Sequence, residues 1–419
     1  MPPSNLRKNI AALYVVQIAS YLTPLFTLPW LTRVLGPSGF GELSFCVAVT
    51  GYFVLLADYG FNLSATRQIA VCRDDRHQRS VVFWNTMAVK AILGSIGLPL
   101  LMALTGLVTR FGEERSLLLI NYLTVLGSVL TPTWYFMGCE RQVVLSSITV
   151  ATRLLAVPAT FVLVRSAGDL QAAALIPAGL TVVGGLISLG FLIATRQVGF
   201  TGVHLSGINA AFRDGLHLFL STAATSLYQA TNTVLLGIFS GSVAVGHFSA
   251  AEKIIQACQS LITPISQSIY PRVSRLMHDS QSEAFVLVRK VLKVQGSAAC
   301  LLSLGLFAFA PLIVRVLFGA QYAETITVLR WLAVVPLLVA LSNVFGVQTM
   351  LAMGMNKQVA RILVCAGALN VLLLCGLASW LGALGAAASV VTTELFVTCA
   401  MAVFLIRRKL PVFRIGLAV

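Results

Sequence analysis

Charge is scarce in this sequence. Of 419 residues, 10% are Asp, Glu, Lys or Arg, where soluble domains carry about 25%. With 58% hydrophobic residues and a mean hydropathy of +0.89, a water-soluble globule is excluded. Metal-centre spacing is absent too. The eight cysteines form no CxxC and fall mostly in apolar runs, where they read as small packing residues. The five histidines are scattered, and no cofactor is implied. No GxxxxGK[ST] loop occurs, which excludes ATP hydrolysis by a P-loop. No hydrophilic stretch is long enough for a catalytic domain. No cleavable signal peptide is expected, because the first apolar run is too long and leads into further spans. The net charge of +15 would suggest nucleic acid in a soluble protein. Here no basic cluster is interleaved with stacking aromatics, so no nucleic-acid partner is expected.

What is present is a succession of apolar runs. A hydrocarbon core of about 30 Å needs roughly 20 apolar residues per helical span. Charged breaks divide the chain into about twelve: 9–32, 39–61, 81–108, 117–138, 144–164, 172–194, 214–238, 247–270, 291–313, 325–350, 359–380 and 384–406. The expected fold class is an all-α membrane protein.

The cations alternate from connection to connection. With the N-terminus inside, about 20 of the 29 Lys and Arg lie on the inner side and about five on the outer. The outer five are Arg33, Arg110, Arg115, Arg165 and Arg315; Lys90, Arg153, Lys253 and Arg330 fall within spans. This asymmetry predicts an even number of spans with both termini cytoplasmic. The longer hydrophilic connections, 62–80, 195–213 and 271–290, all fall inside. The middle one divides the chain into an N-terminal lobe of six spans (1–200) and a C-terminal lobe of six (201–419). Halves of six spans enter the membrane in one direction, as in parallel transporter repeats. A gapped echo supports the repeat: Leu35-Gly36 before Gly39-Phe40-Gly41, and Leu236-Gly237 before Gly246-His247-Phe248.

An ionisable side chain at mid-span costs about 2.5–3.5 kcal/mol on insertion scales, so those retained are candidates for function. Lys90 and Arg153 each lie about nine residues into a span, roughly 13 Å deep. Each reads either as facing a water-filled cavity or as half of a structural ion pair. Glu394, similarly deep, is a coupling-ion site or a structural partner. Glu252, Gln256, Gln259, Thr263 and Gln267 form a polar stripe at helical spacing, with Lys253 beside it. Thr222, Ser226, Gln229 and Thr233 form a second, and Gln17 and Tyr21 share a face of the first span with Pro24. Such faces line a hydrophilic cleft or bind partner helices through interhelical hydrogen bonds. Asp58 and Arg330 lie near span ends, where snorkelling is the plain reading.

The run from Asn9 to Arg67 resembles the start of bacterial O-antigen and exopolysaccharide flippases of the Wzx type. These belong to the multidrug/oligosaccharidyl-lipid/polysaccharide superfamily. The matching pieces are Val16-Gln17, the run from Tyr21 to Pro37, Gly39-Phe40-Gly41 and the run from Asp58 to Arg67; Pro132-Thr133-Trp134-Tyr135-Phe136-Met137-Gly138 extends them. In the second half the likeness is the span pattern with Glu252-Lys253 and Leu317-Phe318-Gly319.

The resemblance implies two six-helix lobes around a central cavity. It also implies transport of an undecaprenyl-pyrophosphate-linked oligosaccharide from the inner to the outer leaflet of the bacterial inner membrane. Arg33, Asp58 and Arg67 become candidates by position in the matching motifs. With Lys90, Arg153 and Lys253, taken from depth, Arg33 and Arg67 form the candidate pyrophosphate-binding set. Gln17, Tyr21, Asn62, Thr222, Ser226, Gln229, Gln256 and Gln259 are glycan-lining candidates, and Asp58, Glu252 and Glu394 are ion-coupling candidates. Expected partners are the lipid-linked oligosaccharide, membrane lipid and other polysaccharide assembly proteins. The alternatives are a multidrug antiporter of the same superfamily and a membrane-embedded polysaccharide polymerase. Alkaline phosphatase, active only outside the cytoplasm, tests the orientation: fused after Lys409 it is expected to be inactive, and after Arg115 active. The reverse pattern would overturn the assignment of sides.

Overall fold

In a computed structural model, the backbone is described for residues 3–412, and side chains for residues 26–219, 230–260, 266 and 269–412. Among the described residues all regular structure is helical. The chain parts into two compact units, Met1–Val234 and Leu235–Val419.

The first unit holds α1 (Pro3–Asp58), α2 (Phe61–Val71), α3 (Arg76–Leu107), α4 (Thr109–Glu113), α5 (Arg115–Asn121), α6 (Leu123–Leu130), α7 (Thr133–Gly138), α8 (Gln142–Leu163) and α9 (Leu170–Ala194). Helix α10 (Leu205–Asp279) runs across the parting. The second unit continues with α11 (Gln281–Leu317), α12 (Ala323–Leu332), α13 (Val335–Phe345), a π-helical turn Gly346–Leu351, α14 (Asn356–Leu381) and α15 (Ala383–Arg407).

Ten stretches among the described residues are long and apolar enough to cross a membrane. Two of them, Phe26–Val71 and Ala230–Ser260, contain a break at a glycine. Gly36 (φ 69°, ψ 178°) and Gly241 (φ 80°, ψ −178°) adopt a backbone conformation essentially confined to glycine. Counting the helical segments on either side of each break separately relates these ten to the twelve spans expected. The two glycines also correct the internal echo. Gly36 pairs with Gly241, not Gly237, and without any gap Gly41 then pairs with Gly246 and Ser44 with Ser249. The same offset carries the start of α3, Arg76, onto the start of α11, Gln281.

The longer hydrophilic connections are more structured than their polarity suggests. Most of 62–80 is helical, in α2 and the first turn of α3, and 271–290 is helical but for Ser280. The middle connection is strapped to α3. Trp84 Nε1 donates to the Gly199 carbonyl (2.9 Å), Gly199 N to Ser80 Oγ (2.9 Å) and His204 N to Asn85 Oδ1 (3.3 Å). The units accordingly part inside α10, beyond the boundary expected at 200/201.

Close approach in the first unit depends on small residues, as membrane interfaces favour. Gly127 of α6 lies against Thr181 of α9, and Gly185 against Leu130, with no room for a Cβ at either glycine. An aromatic cluster of Tyr59, Phe61, Phe83, Trp134, Tyr135 and Phe136 fills the core around the α1–α2 turn. Tyr59 (φ 43°) and Gly60 (φ 74°) break the chain between α1 and α2, and Tyr59 stacks on Phe212 and Phe219.

Gly60 and Gly354 have nearly equal φ, 74° and 75°, but differ in space. A Cβ on Gly60 would lie 2.9 Å from Leu218 Cβ and from Phe219 N, whereas Gly354 has nothing within 4 Å. Gly354→Ala is expected to cost about 1–2 kcal/mol from backbone strain, and Gly60→Ala a further 1–3 kcal/mol or so from overpacking. Thermal midpoints of the two purified variants check this; equal losses would contradict the close contact.

Candidate functional site

Asp58 is the last residue of α1, where the helix dipole places partial negative charge and disfavours a carboxylate. Lys90, mid-way along α3, compensates. Its Nζ donates to Asp58 Oδ1 at 2.9 Å and to the Ser128 carbonyl at 2.8 Å, and the Ser128 hydroxyl donates to the same Oδ1 at 2.7 Å. The Ser128 carbonyl accepts from Thr131 N at 3.2 Å, and its second lone pair is open to Lys90 because Pro132, four residues on, has no N–H with which to continue α6. One proline thus opens an acceptor that a buried ammonium fills.

The pair is exposed on one side. The Lys90 side chain is 2% exposed and that of Asp58 30%. Asp58 borders a cavity of about 650 Å³ lying wholly within the first unit, between α1, α6, α8 and α9, and Lys90 lies behind it. The other charged residue on the wall is Arg153 of α8, which is exposed and has no ion-pair partner among the described residues. Hydroxyls supply most of the remaining polarity. Thr131, Thr149, Thr152, Thr160 and Ser188 each donate to a carbonyl four residues back in their own helix, and Thr181 to the one three back. Their protons are spent, so what they offer the cavity is acceptor lone pairs. The charged donor on the wall is Arg153.

The second unit repeats the link without charge. Gln295 of α11 occupies the position that the offset pairs with Lys90, and is likewise 2% exposed. Its Nε2 donates to Ser266 Oγ (3.0 Å), and Gln348 Nε2 donates to its Oε1 (3.5 Å).

The residues singled out in the sequence distribute as follows. Asp58 and Lys90 meet each other, and Lys90, engaged with Asp58 and Ser128, does not line the cavity. Arg153 does. Arg33 is exposed, three residues before the Gly36 break; Arg67 is exposed on α2, and Asn62 is half-buried one turn earlier. In α10, Lys253 Nζ donates to Gln256 Oε1 at 3.4 Å beside half-buried Glu252, and Gln259 is half-buried further along the helix. Glu394 is half-buried on α15. Gln17, Tyr21, Thr222, Ser226 and Gln229 lie outside the residues whose side chains are described, as do Pro24, Thr263 and Gln267.

The hydroxyl wall escaped the sequence reading. Its signal was present: Thr149, Thr152, Arg153, Ala156 and Thr160 recur on one face of α8, as do small residues Ala173, Pro177, Gly184 and Ser188 on α9.

A family model described as polysaccharide biosynthesis protein matches residues 6–277. Over 408 residues, 97% of this chain and 98% of the relative, the chain is 34% identical to an Escherichia coli (strain K12) protein named "Putative O-antigen transporter". A Shigella dysenteriae protein of the same name is 29% identical over 94% of this chain and 99% of its own length. Two solved structures share the fold. One is lipid II flippase MurJ in an inward closed conformation, with TM-score 0.71 and 10% identity over 94% of this chain and 87% of that one. The other is an inward-facing multidrug resistance MATE family transporter of the MOP superfamily, with TM-score 0.70 and 16% identity over 96% and 98%. The chain is thus a multi-pass membrane protein with a transporter fold.

The one-sided burial of the ion pair makes its two halves unequal. Asp58→Asn strands an ammonium in the interior and is expected to cost about 3–5 kcal/mol. Lys90→Met leaves a carboxylate that cavity water can reach, at a smaller cost, and adding it to Asp58→Asn should recover part of the loss. Thermal midpoints of the three variants test this; equal losses in the two single variants would contradict it.

Proposed function

This chain belongs to the polysaccharide biosynthesis protein family, and from that premise we propose that it carries a lipid-linked oligosaccharide across the bacterial inner membrane. The cargo we assign is an undecaprenyl-pyrophosphate-linked repeat unit, moved from the cytoplasmic to the outer leaflet by alternating access. The observation that carries the reading is Arg153: a mid-span cation on a hydroxyl-lined cavity wall, without a carboxylate partner among the described residues.

The chemistry of the wall matches such a head group. Each sugar hydroxyl moved unpaired into hydrocarbon costs about 4–8 kcal/mol. Sugar hydroxyls donate readily, and the Thr and Ser oxygens of the cavity accept. The pyrophosphate is an acceptor without protons to give, and a guanidinium binds it through paired donors. The polyprenyl tail stays in lipid while the head passes.

Asp58 is the natural coupling group. It meets the cavity on one side and Lys90 on the other, so a proton arriving from the cavity changes what holds Lys90 in place. A gradient supplies about 2.3 kcal/mol per charge per 100 mV. Glu252 and Glu394 remain further candidates for coupling, and Arg33, Arg67 and Lys253 for contact with the pyrophosphate during passage. The transporter fold, together with relatives named as transporters, supports this over a polymerase. A cavity whose unpaired charge is positive disfavours a carrier of cationic drugs.

Complementation of a deletion strain tests the reading. Arg153→Gln is expected to lower outer-leaflet delivery of the lipid-linked glycan about 10- to 100-fold, the worth of one charge-assisted hydrogen bond of about 1.5–3 kcal/mol. Arg153→Lys should fall between it and the parent. Stranded lipid-linked glycan on the inner leaflet is the readout, with protein level in the membrane as the control. Wild-type delivery by a normally inserted Arg153→Gln protein would overturn the assignment.

A further inference from the structure

A second cavity, of about 600 Å³, lies within the C-terminal unit, where α11 passes α12 and α13. It is independent of the transport site. Leu304, Phe307, Trp331 and Leu337 make its wall apolar, and the face of α11 around it is studded with exposed Leu301, Leu304, Phe309 and Leu312. In a spanning helix such a face meets hydrocarbon, so what fills the groove comes from the bilayer.

Three polar groups interrupt that wall. Arg330 is exposed, with its guanidinium carbon 5.6 Å from the centroid of the Phe307 ring, and no described acid pairs with it. Thr327, one turn earlier on α12, is exposed beside it. Ser303, one turn before Phe307 on α11, is 8% exposed, and its hydroxyl oxygen is buried with no hydrogen-bond partner among the described atoms. Arg330 lies seven residues into α12, about 10 Å from its start at 1.5 Å per residue. A cation on a spanning helix is expensive without an anion, and none of the described residues provides one.

We propose that this groove binds an anionic phospholipid of the surrounding leaflet. Arg330 and Thr327 hold the phosphate, as basic pockets between spanning helices hold anionic head groups. The Ser303 hydroxyl donates to a glycerol ester carbonyl, which answers its missing bond. One acyl chain lies along Leu304, Phe307 and Leu337. The guanidinium, stacked on the ring, can face a phosphate while its stem stays in the apolar wall. An anionic lipid is preferred over a zwitterionic one because its head group carries no ammonium to compete for its own phosphate.

Native mass spectrometry of the purified full chain, released from micelles holding equimolar phosphatidylglycerol and phosphatidylcholine with matched acyl chains, tests this. The parent is expected to retain phosphatidylglycerol at least fivefold over phosphatidylcholine, and Arg330→Gln to lose that preference. Leu304→Trp, which fills the groove and leaves the charge, should reduce retention of both lipids alike. Equal retention of the two lipids by the parent, or an unchanged preference in Arg330→Gln, would overturn the proposal. So would undiminished retention of both lipids by Leu304→Trp, since the charge alone would then be acting as an ordinary surface cation. Should Arg330→Gln fail to fold, Arg330→Lys and Leu304→Trp carry the test, with a reduced preference expected from the first.

Discussion

An ammonium with almost no access to solvent has to be answered in full, and the first unit is organised around answering Lys90. The carboxylate comes from the end of one helix and the carbonyl from another. That carbonyl also accepts from Thr131 N, and its second lone pair is open because a proline interrupts its helix. Three helices, α1, α3 and α6, are thereby fixed at one level. The close crossing of α6 on α9 through Gly127 and Gly185 then fixes a fourth. The cavity is the space these constraints leave, with α8 closing it. Its wall carries Asp58 because the pair is buried from one side only.

That pairing was half legible in the sequence. Asp58 and Lys90 were both conspicuous as charges in apolar runs, but they were assigned different depths. Asp58 seemed to lie near a span end and Lys90 well inside one, because residues 62–80 read as a hydrophilic connection. The helices in fact continue into it, α2 to Val71 and α3 back to Arg76. Measured from those ends, Asp58 is 13 residues in and Lys90 is 14, each about 20 Å at 1.5 Å per residue. The two therefore meet in an antiparallel hairpin. Amphipathic helical ends that project past the hydrocarbon look like loops to a hydropathy reading, and depth estimates suffer accordingly.

Span positions were legible for the opposite reason: hydrocarbon imposes an apolar requirement on every residue that faces it. The wall of the cavity was harder to see because threonine is cheap in a membrane helix. Its hydroxyl bonds to its own backbone, so a threonine-rich stripe carries little of the penalty that draws attention to Gln or Lys. The polar stripe of α10, made of Glu252, Gln256 and Gln259, was conspicuous for its cost; that of α8 was not. A stripe of inexpensive polar residues, once a mid-span arginine lies within it, carries as much information as a stripe of expensive ones.

The internal repeat sharpens what the charge is for. Lys90 and Gln295 stand at matching positions, are equally buried and tie the same helix to its neighbours. The glutamine shows that the fold can make this link with a neutral side chain. Nothing in the architecture of the repeated helices therefore demands an ion pair there. A buried pair is on average no more stabilising than a well-packed neutral substitute. Holding the costlier version in the unit whose cavity also carries Arg153, and the neutral version in the other, makes the two units chemically unequal at matching positions. The proposed coupling of an ion to an anionic cargo draws on that inequality.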